Sequence, residues 1–394
     1  MEKLKEKHIS RFFSTMNQKK ILKELFFKGS MSITDIAREL KISTPAVSRN
    51  VSKLMKAGLI RKIGWGKSNG GRRPMLLSLE SNSRIIIAVQ ISYMRVEITA
   101  YNLIGDKITT NVFSFSDILP FERLWKMIEE KIKRLVDTHK ISPDNILGIG
   151  IGLPSPVIHP DNKIVFSRFY GWKEQPLPSF VEFGSTKVST FFENDANLMA
   201  FGENYLNPKA KNKIVFYIYF DVGIGMGISI NGEILSGARG LAGEIGQIVV
   251  GLGENGQKVS LEEVVSQRAL FNAKERIPDI SSLSLENEEE MLTYLNENAD
   301  EPGIEGLFDD IADKLGKIVG FISNAIDPHI IIFDGSVVRT CKVLMNKVVD
   351  KINFYSWKPT LVELKSNRDE KLVTRGAYAI VLKNLLEFDI GEER

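Results

Sequence analysis

Between Gln18 and Phe27 the apolar residues Ile21, Leu22, Leu25 and Phe26 recur at three- and four-residue steps, and Gly29 follows, which predicts a short amphipathic helix and its stop. A second helical pattern lies in SITDIAREL, where Ser32 or Thr34 caps and Ile36, Ala37 and Leu40 turn inward. After a turn at KIS, the run TPAVSRNVSKLMKAGLI predicts a third helix. Thr44 is its expected N-cap, Pro45 stands at the first helical position, and Val47, Val51, Leu54 and Met55 form the buried stripe. RKIGWGKSNGGRRPMLLSL then reads as a strand, a glycine-rich tip and a returning strand. Three helices and a hairpin predict a winged helix-turn-helix over residues 1–80.

SLESNS, at residues 78 to 83, is a polar connector, and from Arg84 the pattern shifts to runs of Ile and Val. RIIIAVQISYMRVEITAYNLIGDKI predicts two hairpin-linked strands, FERLWKMIEEKIKRLVDTH an amphipathic helix, and NILGIGIGLPSPV a buried strand ending in a loop. A second cycle begins at KIVFYIYFDVGIGMGISINGEIL, again two strands about a glycine-rich turn, and continues through helices to HIIIFDGSVV. Two related cores with helices between them predict an α/β fold of two lobes around a cleft. The expected boundaries are 84–200 for the first lobe and 201–371 for the second, with a C-terminal helix near 372–386 packing back on the first.

Charge sharpens this division. Residues 1–82 hold 18 Lys and Arg against 6 Asp and Glu, net +12, whereas the remainder holds 34 against 43, net −9. A basic head joined to an acidic body suggests a polyanion binder fused to an ordinary domain. In the third helix Ser43, Thr44, Ala46, Ser48, Arg49, Asn50 and Lys53 fall largely outside the apolar stripe, a mixture of small residues and donors suited to base edges and phosphates. Arg72 and Arg73 sit at the tip of the hairpin, placed for a minor groove or for phosphates; an ordinary basic hairpin is the plainer alternative.

The remaining composition excludes several classes. The opening MEKLKEKHIS lacks the apolar segment of a signal peptide, and no stretch approaches the roughly 18 apolar residues of a membrane helix, so a cytoplasmic protein without a membrane partner is expected. The one cysteine, Cys341, cannot form an internal disulfide, and His8, His139, His159 and His329 show no paired ligand spacing, so no structural metal is expected.

Five segments, GLPSPV at 152–157, ENDAN at 193–197, GIGMGISINGEILSGARGLAGEIGQ at 223–247, DPHIIIFDGS at 327–336 and RGAYAIVL near the C-terminus, occur in an order that resembles the ROK family of repressors, open reading frames and kinases. The resemblance spans the whole chain and points to the regulator branch, that of xylose and N-acetylglucosamine repressors. It implies an actin-like, two-lobed sugar-kinase fold behind the winged helix-turn-helix, and a homodimer or homotetramer.

The resemblance also locates the chemistry. Where family kinases carry a DxGxT-like hairpin for phosphate and metal, this chain has QISYM, with Gln90, Ser92 and Met94 in place of Asp, Gly and Thr. The second phosphate loop reads DVGIGMG, so Asp221 brings negative charge and Val222 removes a hydroxyl, and Asp334 precedes Gly335 on the adenosine side. A neutral amide and a thioether replace neither a metal-associated carboxylate nor a hydroxyl, so ATP and Mg belong only to a kinase alternative. On the sugar side, Asn194, Asp195, Glu244 and Glu262 stand at the family's sugar contacts, and Gln247 replaces a histidine that touches sugar and binds zinc. The cysteine-rich zinc loop is replaced by GLGENGQKVSLEE, so no zinc is expected. The combined expectation is a sugar-responsive regulator, a repressor of operator DNA, in which Asp195 holds a sugar hydroxyl. The alternative is an ATP-dependent sugar or N-acetylamino-sugar kinase, glucokinase-like, with Asp195 as general base and a fused DNA-binding domain.

Overall fold

The computed structural model describes residues 15–67, 73–159, 161–210, 212–273, 287–365 and 372–387. The chain divides into two compact units, residues 1–194 with 373–394 and residues 195–372. The division falls between Asn194 and Asp195, six residues before the expected 200, because the helix that starts at Asp195 packs on the strands of the second unit.

The head of the first unit comprises α1 (Met16–Lys28), β1 (Met31–Ser32), α2 (Ile33–Leu40), α3 (Thr44–Lys56), β2 (Ile60–Trp65) and β3 (Met75–Leu79). Gly29 closes α1 at φ 76°, and Ser32 caps α2 through a reciprocal capping box with Asp35. The cap of α3 is Ser43 rather than the expected Thr44. The Ser43 hydroxyl accepts the Ala46 amide, so Thr44 and Pro45 occupy the first two helical positions, where a missing proline N–H costs nothing. Val47, Val51 and Leu54 are buried as the stripe requires, and Met55 is half-buried. The three strands pair in the order β1-β3-β2, giving the wing its base.

Next come β4 (Ile85–Ser92), β5 (Arg95–Asn102), β6 (Lys107–Ser114), α4 (Phe121–Thr138) and β7 (Ile146–Leu153). They are followed by β8 (Val157–Ile158), β9 (Lys163–Phe166), β10 (Lys173–Pro176), β11 (Phe180–Phe183) and β12 (Thr186–Asn194). The main sheet has the order β11-β12-β7-β4-β5-β6, with β12, β7 and β4 mutually parallel. Strand β7, at its centre, is buried along its whole length, as a sheet covered on both faces demands. Helix α4 contributes Leu124, Ile128 and Ile132 to one core.

The second unit runs through α5 (Asp195–Leu206), β13 (Ile214–Phe220), β14 (Ile224–Ile230), β15 (Glu233–Ile234), β16 (Val249–Leu252), β17 (Lys258–Ser260), α6 (Leu261–Val264) and α7 (Gln267–Ala273). It continues with α8 (Glu288–Glu297), α9 (Pro302–Ile326), β18 (Ile330–Asp334), α10 (Ser336–Thr340), α11 (Lys342–Tyr355) and β19 (Val362–Leu364). Its sheet order is β15-β14-β13-β18-β19, with β13, β18 and β19 parallel. Phe216, Ile218, Phe308, Leu315 and Phe333 are fully buried in its own core.

The last helix, α12 (Leu372–Glu387), returns to the first unit. Gly150 on β7 makes this possible: a Cβ there would stand 2.0 Å from the Ala377 carbonyl oxygen, so only glycine lets helix and strand approach so closely. The hydroxyls of Tyr101 and Thr374 hydrogen-bond at 2.9 Å, and Tyr378 donates to the Leu103 carbonyl at 2.9 Å. Leu382, Leu385 and Leu386 of α12 join Leu22, Phe26, Leu59 and Leu79 of the head around a narrow apolar cavity, so the helix also seats the head.

Candidate functional site

The exposed face of α3 carries Ser43, Thr44, Ser48, Arg49 and Lys53, all exposed. Asn50 differs. It is half-buried; its amide donates to the Ala46 carbonyl at 2.9 Å and its Oδ1 accepts the Thr15 hydroxyl at 3.1 Å, so it ties α3 to the start of α1. Arg73 is exposed at the wing, and Arg72 lies outside the described residues. Trp65, 56% exposed at the end of β2, was not singled out from the sequence, although an aromatic beside a basic glycine tip is the signal of a surface that meets a flat or charged partner.

In the second unit the start of α5 places Asp195 against the strand β14. Gly227 on that strand admits the helix: a Cβ there would lie 2.0 Å from the Ala196 carbonyl oxygen. The glycines of GIGMG thus serve helix packing as well as the hairpin turn. Asp195 accepts the Ala196 amide at 2.7 Å, yet burial pushes its pKa up to about 7, and the charges of Asp221 and Glu262 push the same way. Glu244 precedes the 3-10 turn Ile245–Gln247, and burial, followed by the charges of Asp195 and Glu262, pushes it up to about 7 as well. Glu262, in the capped turn α6, accepts the Ile224 amide at 3.2 Å. The fold therefore gathers Asp195, Glu244 and Glu262 from three separate segments. Gln247 lies one turn from Glu244, its amide donating to the Glu244 carbonyl at 3.1 Å, and its side chain is exposed. Asn194 is the last residue of the first unit, at the end of β12.

Carboxyls held near neutrality in a half-buried setting retain acceptor capacity for hydroxyl donors, and a polyol presents several such donors at once. Nearby loops of the same unit behave differently. The Asp221 carboxylate, at the hairpin between β13 and β14, accepts the hydroxyls of Tyr219, at 2.7 Å, and Ser336. Asp334 accepts the Tyr217 hydroxyl at 2.8 Å, its own following amide at Gly335, and the Arg339 guanidinium. Burial and the adjacent carboxylates hold both tyrosines well above the ordinary phenol pKa, so they remain donors. These acidic groups stand on the segments that the resemblance assigns to phosphate and adenosine, and their acceptors are used within the protein. With Gln90, Ser92 and Met94 in the first unit, the residues present do not fit a metal-bound nucleoside triphosphate. Among the described residues no group of three or more His, Cys, Asp or Glu side chains is placed to hold a metal ion.

Two further residues of the first unit pair near the end of β12. Glu193 is buried, accepts the Asn194 amide at 2.8 Å, and pairs with His159 Nε2. The sequence signal was a charge inside the apolar strand STFFEND.

Comparison with known proteins follows the same division. A model of the ROK family matches residues 101–384, and a model of winged helix-turn-helix DNA-binding domains matches residues 17–61. The chain is 26% identical over 388 residues to a xylose repressor of Caldicellulosiruptor bescii, covering 95% of this chain and 97% of that one. It is 30% identical over 238 residues to a glucokinase of Halalkalibacterium halodurans, covering 57% of this chain and 71% of the other. A crystal structure of a ROK family transcriptional regulator, described as a homologue of the Escherichia coli Mlc protein, superposes with a TM-score of 0.77 at 19% identity, over 94% of this chain and 97% of that one.

Proposed function

The chain belongs to the ROK family, and from that premise we propose that it is a sugar-responsive transcriptional repressor whose kinase-like units sense a sugar without phosphorylating it. The observation that carries this reading is the contrast within the second unit: Asp195 and Glu244 remain near-neutral carboxyls, whereas Asp221 and Asp334 are committed to internal donors. Asn194, Asp195, Glu244, Gln247 and Glu262 hold the effector. Ser43, Thr44, Ser48, Arg49, Lys53 and the wing arginines hold the operator, with Asn50 positioning α3. The protein works as a homodimer or homotetramer in the cytoplasm, since paired half-sites need paired heads. No described helix is long and apolar enough to cross a membrane.

Two measurements test this. DNA selected from random sequence on the purified protein is expected to bind with an affinity that falls steeply with salt, each displaced phosphate contact adding about −0.9 to the log–log slope. A chain lacking residues 1–82 that still binds this DNA overturns the assignment of the head. A sugar panel in a thermal-shift screen is expected to yield a stabilising effector, which then releases the DNA.

A second reading, an ATP-dependent sugar kinase, is favoured by one observation. A carboxyl with pKa about 7 at the start of α5 is also suited to accept a hydroxyl proton near neutral pH. Sugar-dependent ADP release, lost in Asp195→Ala, would establish it; background turnover across the panel is the expected result.

A further inference from the structure

The wing pairs β2 with β3, and one residue of β2 is out of register. Ile60 stands opposite Leu79 and Lys62 opposite Leu77, but Gly64 stands opposite Leu76, so Ile63 is an extra residue. Such a bulge reverses the in-and-out alternation of every side chain beyond it. Gly64 supplies the backbone it needs, at φ 132°, a conformation that residues with a Cβ rarely adopt. The consequence falls on Trp65. It stands opposite Met75, and across an antiparallel pair opposed side chains point to the same face. Met75 alternates along β3 with Leu77 and Leu79, which are buried in the head. Trp65 is therefore turned to the face of the wing that packs on the helices, yet it is 56% exposed, and the bulged Ile63 is 45% exposed. The Gly66 amide donates to the Pro74 carbonyl at 2.8 Å, so pairing continues past Trp65 and the indole stands on a stiff stem.

Its surroundings select the partner. From Ile60 to Leu79 the chain has five basic residues and no acidic one, and Arg61, Lys62, Lys67 and Arg73 are exposed. A large apolar ring framed by cations matches a nucleic-acid duplex, whose phosphates take the cations and whose groove walls of deoxyribose and base edges take the ring. Cations on phosphate release counterions and so weaken with salt. An indole binds by contact and stacking, which releases none.

We propose that Trp65, aimed by the bulge at Gly64, is a DNA-contacting residue that packs its indole against the wall of a groove and supplies a part of the affinity that does not depend on salt. The inference rests on the DNA-binding reading of the head and adds to it a non-ionic contact outside α3.

The test uses the full chain carrying Trp357→Phe, which removes the other exposed indole, since Trp125 and Trp172 are buried. A fluorescein-labelled duplex, selected from random sequence on the protein, reports binding by anisotropy, and tryptophan emission is read in the same titration without sugar. On binding, Trp65 emission is expected to change and its quenching by acrylamide to fall several-fold. Trp65→Ala is expected to weaken binding about tenfold at every salt concentration with the log–log slope unchanged, whereas Arg73→Ala should make the slope shallower by about 0.9. Trp65→Phe keeps an aromatic ring and is expected to recover most of the loss, which a misfolded head would not. Bound DNA that leaves Trp65 emission and acrylamide access unchanged, Trp65→Ala with undiminished affinity, a loss that comes with a shallower slope, or equal protection of Trp65 by poly-glutamate would each overturn the proposal and leave the DNA-binding reading standing. A chain that binds no duplex at all overturns that reading and this inference with it.

Discussion

The second unit holds two acidic regions that differ in what their oxygens are doing. At Asp221 and Asp334 the acceptors are used by Tyr219, Ser336, Tyr217, Gly335 and Arg339. Burial first, then the charges of neighbouring carboxylates (Asp221 and Glu262 for Asp195, Asp195 and Glu262 for Glu244), raises both to a pKa of about 7, which is the mark of carboxyls that lack full compensation for leaving water. On the proposed reading the first region is finished without a ligand and the second is improved by one, so that one half of a two-substrate site is filled by internal hydrogen bonds while the other half stays receptive.

The largest expected effect bears on the receptive region. Asp195→Asn keeps the shape but removes a charged acceptor, so effector binding should weaken by about 1.5–3 kcal/mol, roughly ten- to over a hundred-fold, in a calorimetric titration. DNA binding without sugar should be unaffected, and an unchanged sugar response would make Asp195 a helix cap only. The closed region should answer in the opposite manner. Asp221→Ala leaves the donors of Tyr219 and Ser336 without their acceptor, so the protein should lose about 1–3 kcal/mol in denaturant unfolding while sugar affinity stays within a few-fold. A loss of sugar affinity without a loss of stability would erase the distinction.

The pH dependence is smaller and its sign follows from the raised pKa values. The unfolded carboxyls give up their protons near their ordinary values, 3.8 for Asp and 4.5 for Glu, and the folded ones near 7. Their stabilising contribution is therefore complete below about pH 4 and is lost as the pH rises through about 7. Sugar hydroxyls that donate to the ionised carboxylates favour the charged form, so affinity should fall as the pH drops from about 8 to about 6, by at most about tenfold per unit for each group. Asp221→Asn removes one charge that opposes Asp195 ionisation and should shift this fall to lower pH. Flat binding across that range would show that the carboxyls do not meet the ligand in ionised form. The smallest effect is expected from nucleotide: millimolar ATP with magnesium should leave the melting temperature unmoved, and a shift of several degrees would reopen the closed region.

Much of this was legible in the sequence, because the signals were periodic or compositional. Val47, Val51 and Leu54 at helical spacing gave the third helix of the head, and the charge split gave its separateness. The ordered motifs led to Asp195, Glu244 and Glu262, which three distant segments bring together. What stayed hidden depended on partners distant in the sequence or on a single hydrogen bond. Asn50 reads as a base-contacting donor until Thr15 and Ala46 are seen to occupy it. Ser43 and Thr44 are both competent caps, and geometry alone chooses between them. Asp221 was legible as an unwelcome charge, but its bond to Ser336, 115 positions away, was not. The boundary at Asn194 was displaced because a helix that begins inside a motif belongs to the unit it packs on, and packing is not written in the motif.

The position of α12 sets an order of assembly during synthesis. The second unit, contiguous from 195 to 372, has all its residues available before the ribosome reaches the helix that fills the space over Gly150 and supplies Leu382, Leu385 and Leu386 beneath the head. The first unit, although it leads the chain, is completed last. A message cut short before residue 372 would thus release a head without its seat, and such a product should be cleaved by protease at the connector near residues 80–84 far faster than the full chain.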